Sequence, residues 1–267
     1  MPEHVARPFI LHEATYRQAL DWKPTVAILP WGATEAHNWH LPHGTDTIEA
    51  TGLAEQAAAL AAQANARCCV LPTVPFGNNN TQLTQVATIT MRTSTQLAVL
   101  HDVADSLAKQ GIDRLVVLNF HGGNDFKALI RDVMLDVPIF IVLVNGYQLA
   151  SDQLRSILRD PRTGHADEFE TSLILHLHPN LVAPLEQAGS GETTLSQLPV
   201  LASTPGAWCP RDWKTLTPDT GDGNPLAATA EKGSKLMIIM VERLSQLLIE
   251  LAGAQEGQFP YVIRRWE

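Results

Sequence analysis

Five short runs of β-branched and aliphatic residues dominate the first half of this 267-residue chain and constrain what it can fold into. They are residues 25–30 (TVAILP), 67–71 (RCCVL), 86–91 (VATITM), 114–118 (RLVVL) and 138–144 (PIFIVLV). Short, nearly continuous apolar runs are the pattern of strands buried on both faces. Segments with helical spacing lie between and after them, at 47–64, 95–110, 124–135, 148–159, 169–178 and 227–252. In 95–110, Leu97, Val99, Leu100, Val103 and Leu107 share one broad face. Gly233 inside the last segment weakens its first turns. This alternation predicts an α/β fold, a mostly parallel sheet flanked by helices on both faces. Ligands of such sheets bind at the carboxyl ends of the strands, so the residues just after each strand matter most. The stretch 189–225 is rich in Gly, Pro, Thr and Ser and reads as a lid-like excursion, leaving 1–267 as one domain.

Charge narrows the partners. The chain carries 19 Lys+Arg against 28 Asp+Glu, a net −9, which argues against a nucleic-acid or anionic-membrane partner and leaves a small-molecule substrate or a metal open. The three cysteines (Cys68, Cys69, Cys209) form neither a disulfide framework nor a CxxC pair, and they read as core thiols. The start, MPEHVARPFI, lacks the apolar core of a signal peptide, and no apolar run approaches the ~20 residues of a membrane span. The expectation is a cytoplasmic protein.

Three clusters carry chemistry. The first follows the first strand, as Gly32-Ala33-Thr34-Glu35-Ala36-His37 and then Leu41-Pro42-His43-Gly44-Thr45-Asp46. Glu35 and His37, two apart in extended chain, share a face, and Asp46 is either a ligand or an N-cap of the next helix. Carboxylates and imidazoles without thiolates suit a hard or borderline divalent ion. The second cluster, Asn119-Phe120-His121-Gly122-Gly123-Asn124, puts His121 at a strand end, followed by a glycine pair that lets backbone approach a ligand. The third is Gly164-His165-Ala166-Asp167-Glu168-Phe169-Glu170. If the helix includes His165, then His165 and Glu168 share a face; if it starts later, either glutamate can turn inward. His176 and His178, near a helix end, face carbonyls or solvent.

These runs resemble the creatininase (creatinine amidohydrolase) family. GATEAHNWHLPHGTD is similar to its Gly-[ST]-x-Glu-x-His…Leu-Pro-x-Gly-Thr-Asp signature, NFHGGN to its NGHGGN, and HADEFETS to its HAGxxETS. The stretch from Thr220 to Gly233 is similar to its closing Gly-[DN]-Pro…AT-x-EKG. The resemblance spans about 25–251. It implies a homo-oligomer, often a hexamer, with one or two divalent ions (Zn, Mn or Fe). The implied metal ligands are Glu35, His37, Asp46 and His121, with Asp46 bridging if two ions bind. The family pattern makes Glu170 the further carboxylate, with Glu168 the runner-up, and His165 the catalytic or substrate-contacting histidine. The implied activity is hydrolysis of a small cyclic amide or formamide by metal-activated water. Other branches trim a peptide end or cleave a cyclic polyol ketone at a C–C bond, and a non-catalytic scaffold is the rival of another class.

Of three departures, the first counts against creatinine as the substrate and weakens one metal site, and the other two alter the substrate wall. Gly123 stands where creatininase proper has a glutamate. Asn79 and Gln82 stand where relatives carry Ser and His, and the lid-like stretch holds Trp208-Cys209-Pro210-Arg211-Asp212-Trp213. Asn79, Gly122, Gly123 and Trp208 are therefore the expected substrate-binding residues, with Trp39 a further wall. They point to a substrate unlike the best-known ones.

Overall fold

The computed structural model describes residues 7–160, 164–194 and 198–261. Four parallel strands form the sheet: β1 (Val26–Trp31), β2 (Cys68–Val70), β3 (Arg114–Asn119) and β4 (Phe140–Asn145), in the order β2-β1-β3-β4. Val26 pairs with Cys68 on one side and with Arg114 on the other, and Arg114 pairs with Phe140. The helices are α1 (Tyr16–Trp22), α2 (Thr45–Gln63), α3 (Thr93–Lys109), α4 (Phe126–Asp136), α5 (Leu154–Ile157), α6 (Glu168–Leu177), α7 (Pro199–Ser203), α8 (Trp213–Leu216) and α9 (Ala230–Gly253).

Alternate strand residues enter two different cores, which is why the strand runs are apolar throughout. Val26, Ile28, Val116 and Leu118 join the core under α2, α6 and α9. Ala27, Leu29, Trp31, Leu115 and Val117 join the core under α3 and α4. A strand with water on one face would alternate instead. The alanines of α2 (Ala50, Ala54, Ala57, Ala58, Ala61) are buried and let α9 lie close against it. Gly233 has a packing reason too: a Cβ there would sit 1.9 Å from the Ser172 carbonyl oxygen of α6. The helix is kept despite the glycine because this contact joins α9 to α6.

Two expected elements differ. Residues 86–91 do not form a strand; Ile89 bridges only to Thr34 and Thr90 only to Gly77. Val86 is 86% exposed, so its apolar run is not sandwiched between helices. Residues 148–159 do not form one helix. They yield a 3-10 turn at Gly146–Gln148 and the single turn α5, whose Leu154 and the following Leu158 are buried in the core. The excursion 189–225 holds α7 and α8, with 195–197 outside the described residues. Among the described residues no helix is long and apolar enough to cross a membrane.

The chain leaves β1 toward β2 on one side and later returns to β3 on the other. The order therefore reverses between β1 and β3, and the carboxyl ends of those two strands are the natural crevice of an open α/β sheet.

Candidate metal centre and cavity

The crevice between β1 and β3 collects all three sequence clusters. Glu35 and His37 come from the loop after β1, Asp46 from the first turn of α2, His121 from the end of β3 and Glu170 from the first turn of α6. Asp46 is not an N-cap. Gly44 holds that place, and Asp46 lies one residue inside the helix, where the helix dipole favours its charge.

Each imidazole is oriented by a backbone carbonyl. His37 Nδ1 donates to Glu35 O at 3.0 Å, which turns Nε2 toward Asp46 Oδ1 (2.8 Å) and Glu170 Oε2 (3.8 Å). His121 Nε2 donates to Asn78 O at 3.1 Å, which turns Nδ1 toward Glu35 Oε1 (2.8 Å) and Asp46 Oδ2 (3.1 Å). His165 Nε2 donates to Ala36 O at 2.8 Å, leaving Nδ1 3.8 Å from Glu35 Oε1. Anchoring the far ring nitrogen fixes the tautomer and aims the other lone pair, as outer partners of metal-ligating histidines do.

Three groups of ligand atoms lie within 4.8 Å of one another: Glu35, Asp46 and His121; His37, Asp46 and Glu170; and Glu35, His37 and His165. Asp46 belongs to two of them. The donor set is oxygen and imidazole nitrogen, right for Zn, Mn or Fe. His37 Nε2 and Asp46 Oδ2 are buried without a hydrogen bond, an arrangement that a cation would complete.

The electrostatics show how tightly charge is crowded. Burial opposes a proton on His37, but the charges of Asp46, Glu170 and Glu35 outweigh it and push the imidazole up to about 10. His121 rises well above the ordinary histidine range, as Glu35 and Asp46 outweigh its burial. Burial, with the charges of Asp167 and Asp46, pushes Glu170 up to about 8 against the pull of His37. His165 is lowered, by burial and by the neighbouring His37 charge, so it stays neutral near pH 7.

The third cluster starts its helix late. Asp167 caps α6 by accepting from Phe169 N and Glu170 N, so His165 lies outside the helix and the shared-face argument does not apply. Glu170 turns into the site and accepts from Ala166 N, whose residue sits at φ +53°. Glu168 turns away. It accepts from Arg159 N, Asp160 N and Lys232 Nζ.

A cavity of about 520 Å³ opens onto the cluster, and Asn79, Gly122, Gly123 and Trp208 all line it. Trp39 is not among the lining residues, though its ring is 64% exposed. The Asn79 amide is already committed to the carbonyls of Thr34 and Ile89, so only its Oδ1 is without a partner. Gly123 has no room for a side chain: a Cβ there would lie 2.4 Å from both Asn78 O and His121 Nε2. Cys68 and Cys69 are buried as expected, but Cys209 is exposed and lines the cavity. Its neighbours Trp208, Pro210 and Arg211 belong to the excursion, which covers the crevice and not the core.

Two contributors escaped the sequence reading. Gln82, expected only as a substrate wall, donates its Nε2 to Glu35 Oε2 at 2.5 Å and so holds that carboxylate in place. Glu49 lies three residues after Asp46 on α2, is fully buried, and has no hydrogen bond on either carboxylate oxygen. Burial and the charges of Glu170, Asp46 and Asp167 raise it well above the usual carboxylate range. The i, i+3 spacing from Asp46 was the one signal that could have found it.

Comparison with known proteins identifies the family and the fold. The Creatininase family, described as creatinine amidohydrolase, matches residues 12–248. The mycofactocin precursor peptide peptidase of Mycobacterium tuberculosis (strain ATCC 25618 / H37Rv) is 31% identical over 238 residues, covering 87% of each chain. The peptidase of the same description from Mycolicibacterium smegmatis (strain ATCC 700084 / mc(2)155) is 29% identical over 242 residues, covering 89% of this chain and 90% of that one. A Bacteroides fragilis NCTC 9343 crystal structure, assigned there to the creatinine amidohydrolases, superposes with TM-score 0.87 at 39% identity, over 94% of this chain and 98% of that one. A manganese creatininase shares the fold, at TM-score 0.74 and 20% identity over 92% and 99% of the two chains. The four-stranded parallel sheet and its helices are thus the creatininase fold, and the chain belongs to the creatininase family.

Proposed function

We propose that this creatininase-family hydrolase is metal-dependent and cleaves the C–N bond of an amide, with the end of a short peptide as its substrate. The observation that carries the reading is the pair of ligand groups joined through Asp46 at the floor of a 520 Å³ cavity. In this reading Glu35, Asp46 and His121 hold one ion, and His37, Asp46 and Glu170 hold a second. Bound there, a divalent ion supplies Lewis acidity for amide hydrolysis. Solved creatininases include manganese and Zn–Zn forms, which supports the same choice of metals here.

The chain's own residues do the rest. His165, neutral and anchored at Nε2, offers Nδ1 to take up a proton and return it to the leaving amine. Gly122 and Gly123 bring backbone to the cavity wall without side chains, where substrate carbonyls need donors. Gln82 and Asn78 hold Glu35 and His121 still.

The size of the cavity and the peptidase relatives favour a peptide over the small cyclic amide or formamide that the family resemblance first implies. A cytoplasmic homo-oligomer, hexameric as in the family, belongs to the same reading. The test is to purify the protein without chelator, measure bound metal, and assay short peptides beside small cyclic amides after adding Zn, Mn or Fe. Bound metal with peptide turnover is the expected result. Negligible metal and no gain on metal addition would sink the metal-hydrolase reading, and turnover of cyclic amides alone would move the substrate back to that class. Within it, Glu170→Gln should lower metal content sharply with little change in Tm. Glu168→Gln should leave metal content intact and lower stability by about 3 kcal/mol, because it strands the partly buried Lys232 charge. The reverse pattern would show that the ligand is Glu168.

A further inference from the structure

The excursion places one cation on the cavity wall. Among the described residues lining the cavity, Arg211 is the only lysine or arginine, against the carboxylates Glu35, Asp46, Asp167, Glu170 and Asp222. Its guanidinium lies over the Trp213 ring, 5.8 Å from the centroid. The Trp213 ring in turn meets the His165 ring edge-on, with centroids 4.9 Å apart. Asp222 is tied to His165 by a reciprocal backbone pair, at 2.9 and 2.8 Å, and faces Arg211 Nη1 at 3.9 Å. Arg211 is thus held one aromatic ring away from the candidate proton-transfer group.

Those supports position the guanidinium without using it up. Among the described residues it donates no hydrogen bond, and Asp222 stands beyond hydrogen-bond length. The side chain is 57% exposed and lines the cavity. A planar fork of donors with an open face, held near an aromatic ring at cation–π distance, suits bidentate recognition of a carboxylate. Among the described residues its ion pair with Asp222 is long, at 3.9 Å, and leaves the guanidinium donors open to a ligand.

We propose that Arg211 is a specificity-determining residue that anchors a substrate carboxylate, so that the favoured substrate carries its scissile amide on the ion cluster and an anionic group at the lid. The proposal rests on the hydrolase reading only for where the scissile bond lies; the anchor itself is a matter of binding. Two sources supply the same chemistry, the free carboxylate at a peptide's C-terminus and an acidic side chain. Arg211 lies on the lid-like excursion and is 57% exposed, and an exposed cation at the cavity wall favours the chain end of a short peptide.

The experiment measures binding and turnover separately in the metal-loaded protein. The probes are acetyl-tetraalanine, its C-terminal amide, and the amide with glutamate as its last residue. Calorimetric titration should show the free acid binding about tenfold or more tightly than the amide, the size expected for one half-exposed charge-assisted pair. Arg211→Gln should erase that preference, while Arg211→Lys should keep part of it, and raising ionic strength should weaken it. Tighter binding of the glutamyl amide than of the free acid would assign the anchor to acidic side chains and overturn the C-terminal choice. Equal binding of acid and amide, or an unchanged preference in Arg211→Gln, would overturn the proposal. A protein that prefers the acid through Arg211 but hydrolyses none of the three supports the anchor and counts against the hydrolase reading instead.

Discussion

Asp46→Asn is expected to strip the cluster of bound metal and lower turnover by about 10³ or more, the largest effect of any single change in the site. Asparagine keeps the shape of the side chain and removes its charge. Asp46 is the one carboxylate common to the groups formed with Glu35 and His121 and with His37 and Glu170, so both lose an anionic donor at once. The fold should survive. Neutralising Asp46 gives up its attraction to His37 and His121, but it also removes a charge that opposes ionisation of Glu49 and Glu170, and the two apolar cores are untouched. Elemental analysis after dialysis, turnover and a thermal melt on the same sample check the three parts. A variant that keeps its metal and its rate would show that Asp46 bridges nothing.

Metal removal should invert the pH dependence of stability. In the metal-free protein His37 is pushed up to about 10 from an ordinary 6.5, and Glu170 up to about 8 from an ordinary 4.5. Each group therefore binds more protons folded than unfolded, Glu170 between pH 4.5 and 8 and His37 between pH 6.5 and 10. Stability falls with rising pH wherever the folded state holds the extra proton. The two windows overlap from pH 6.5 to 8, where the metal-free Tm should fall most steeply, by about 5–10 °C in all up to pH 9. The lowered carboxylate of Asp46 acts in the opposite sense, but its window lies in acid, below this range. Metal competes with the same protons, so added Zn or Mn should stabilise more as pH rises. Melting curves at several pH values, with and without chelator, check this. A metal-free Tm that is flat or rising from pH 6.5 to 9 would contradict the proton load assigned to His37 and Glu170.

Much of the fold was legible because burial on both faces writes itself into composition. The runs at 25–30, 67–71, 114–118 and 138–144 became β1, β2, β3 and β4, since each sends alternate residues into two cores. The run at 86–91 has the same composition and no neighbouring strand to pair its length with, so it became a loop that bridges only at Thr34 and Gly77. Composition reports what a segment can bury, and the sheet order reports whether a partner is there.

The site divides the same way. Residue types and their places after strand ends marked Glu35, His37, Asp46, His121 and the 165–170 cluster, because chemistry at a strand's carboxyl end needs those groups and leaves them in short motifs. The sequence by itself determined that set and the parallel α/β frame. Only the tertiary structure decided which way each side chain faces. The N-cap at Asp167 starts α6 two residues too late for His165 to share its face, turning Glu170 toward His37 and Glu168 toward Lys232. Carbonyls of Glu35, Ala36 and Asn78 select the ring nitrogens, and Trp213 carries Arg211 to the cavity wall. Those choices depend on backbone groups distant in sequence and on a helix start shifted by one or two residues, and local pattern records neither.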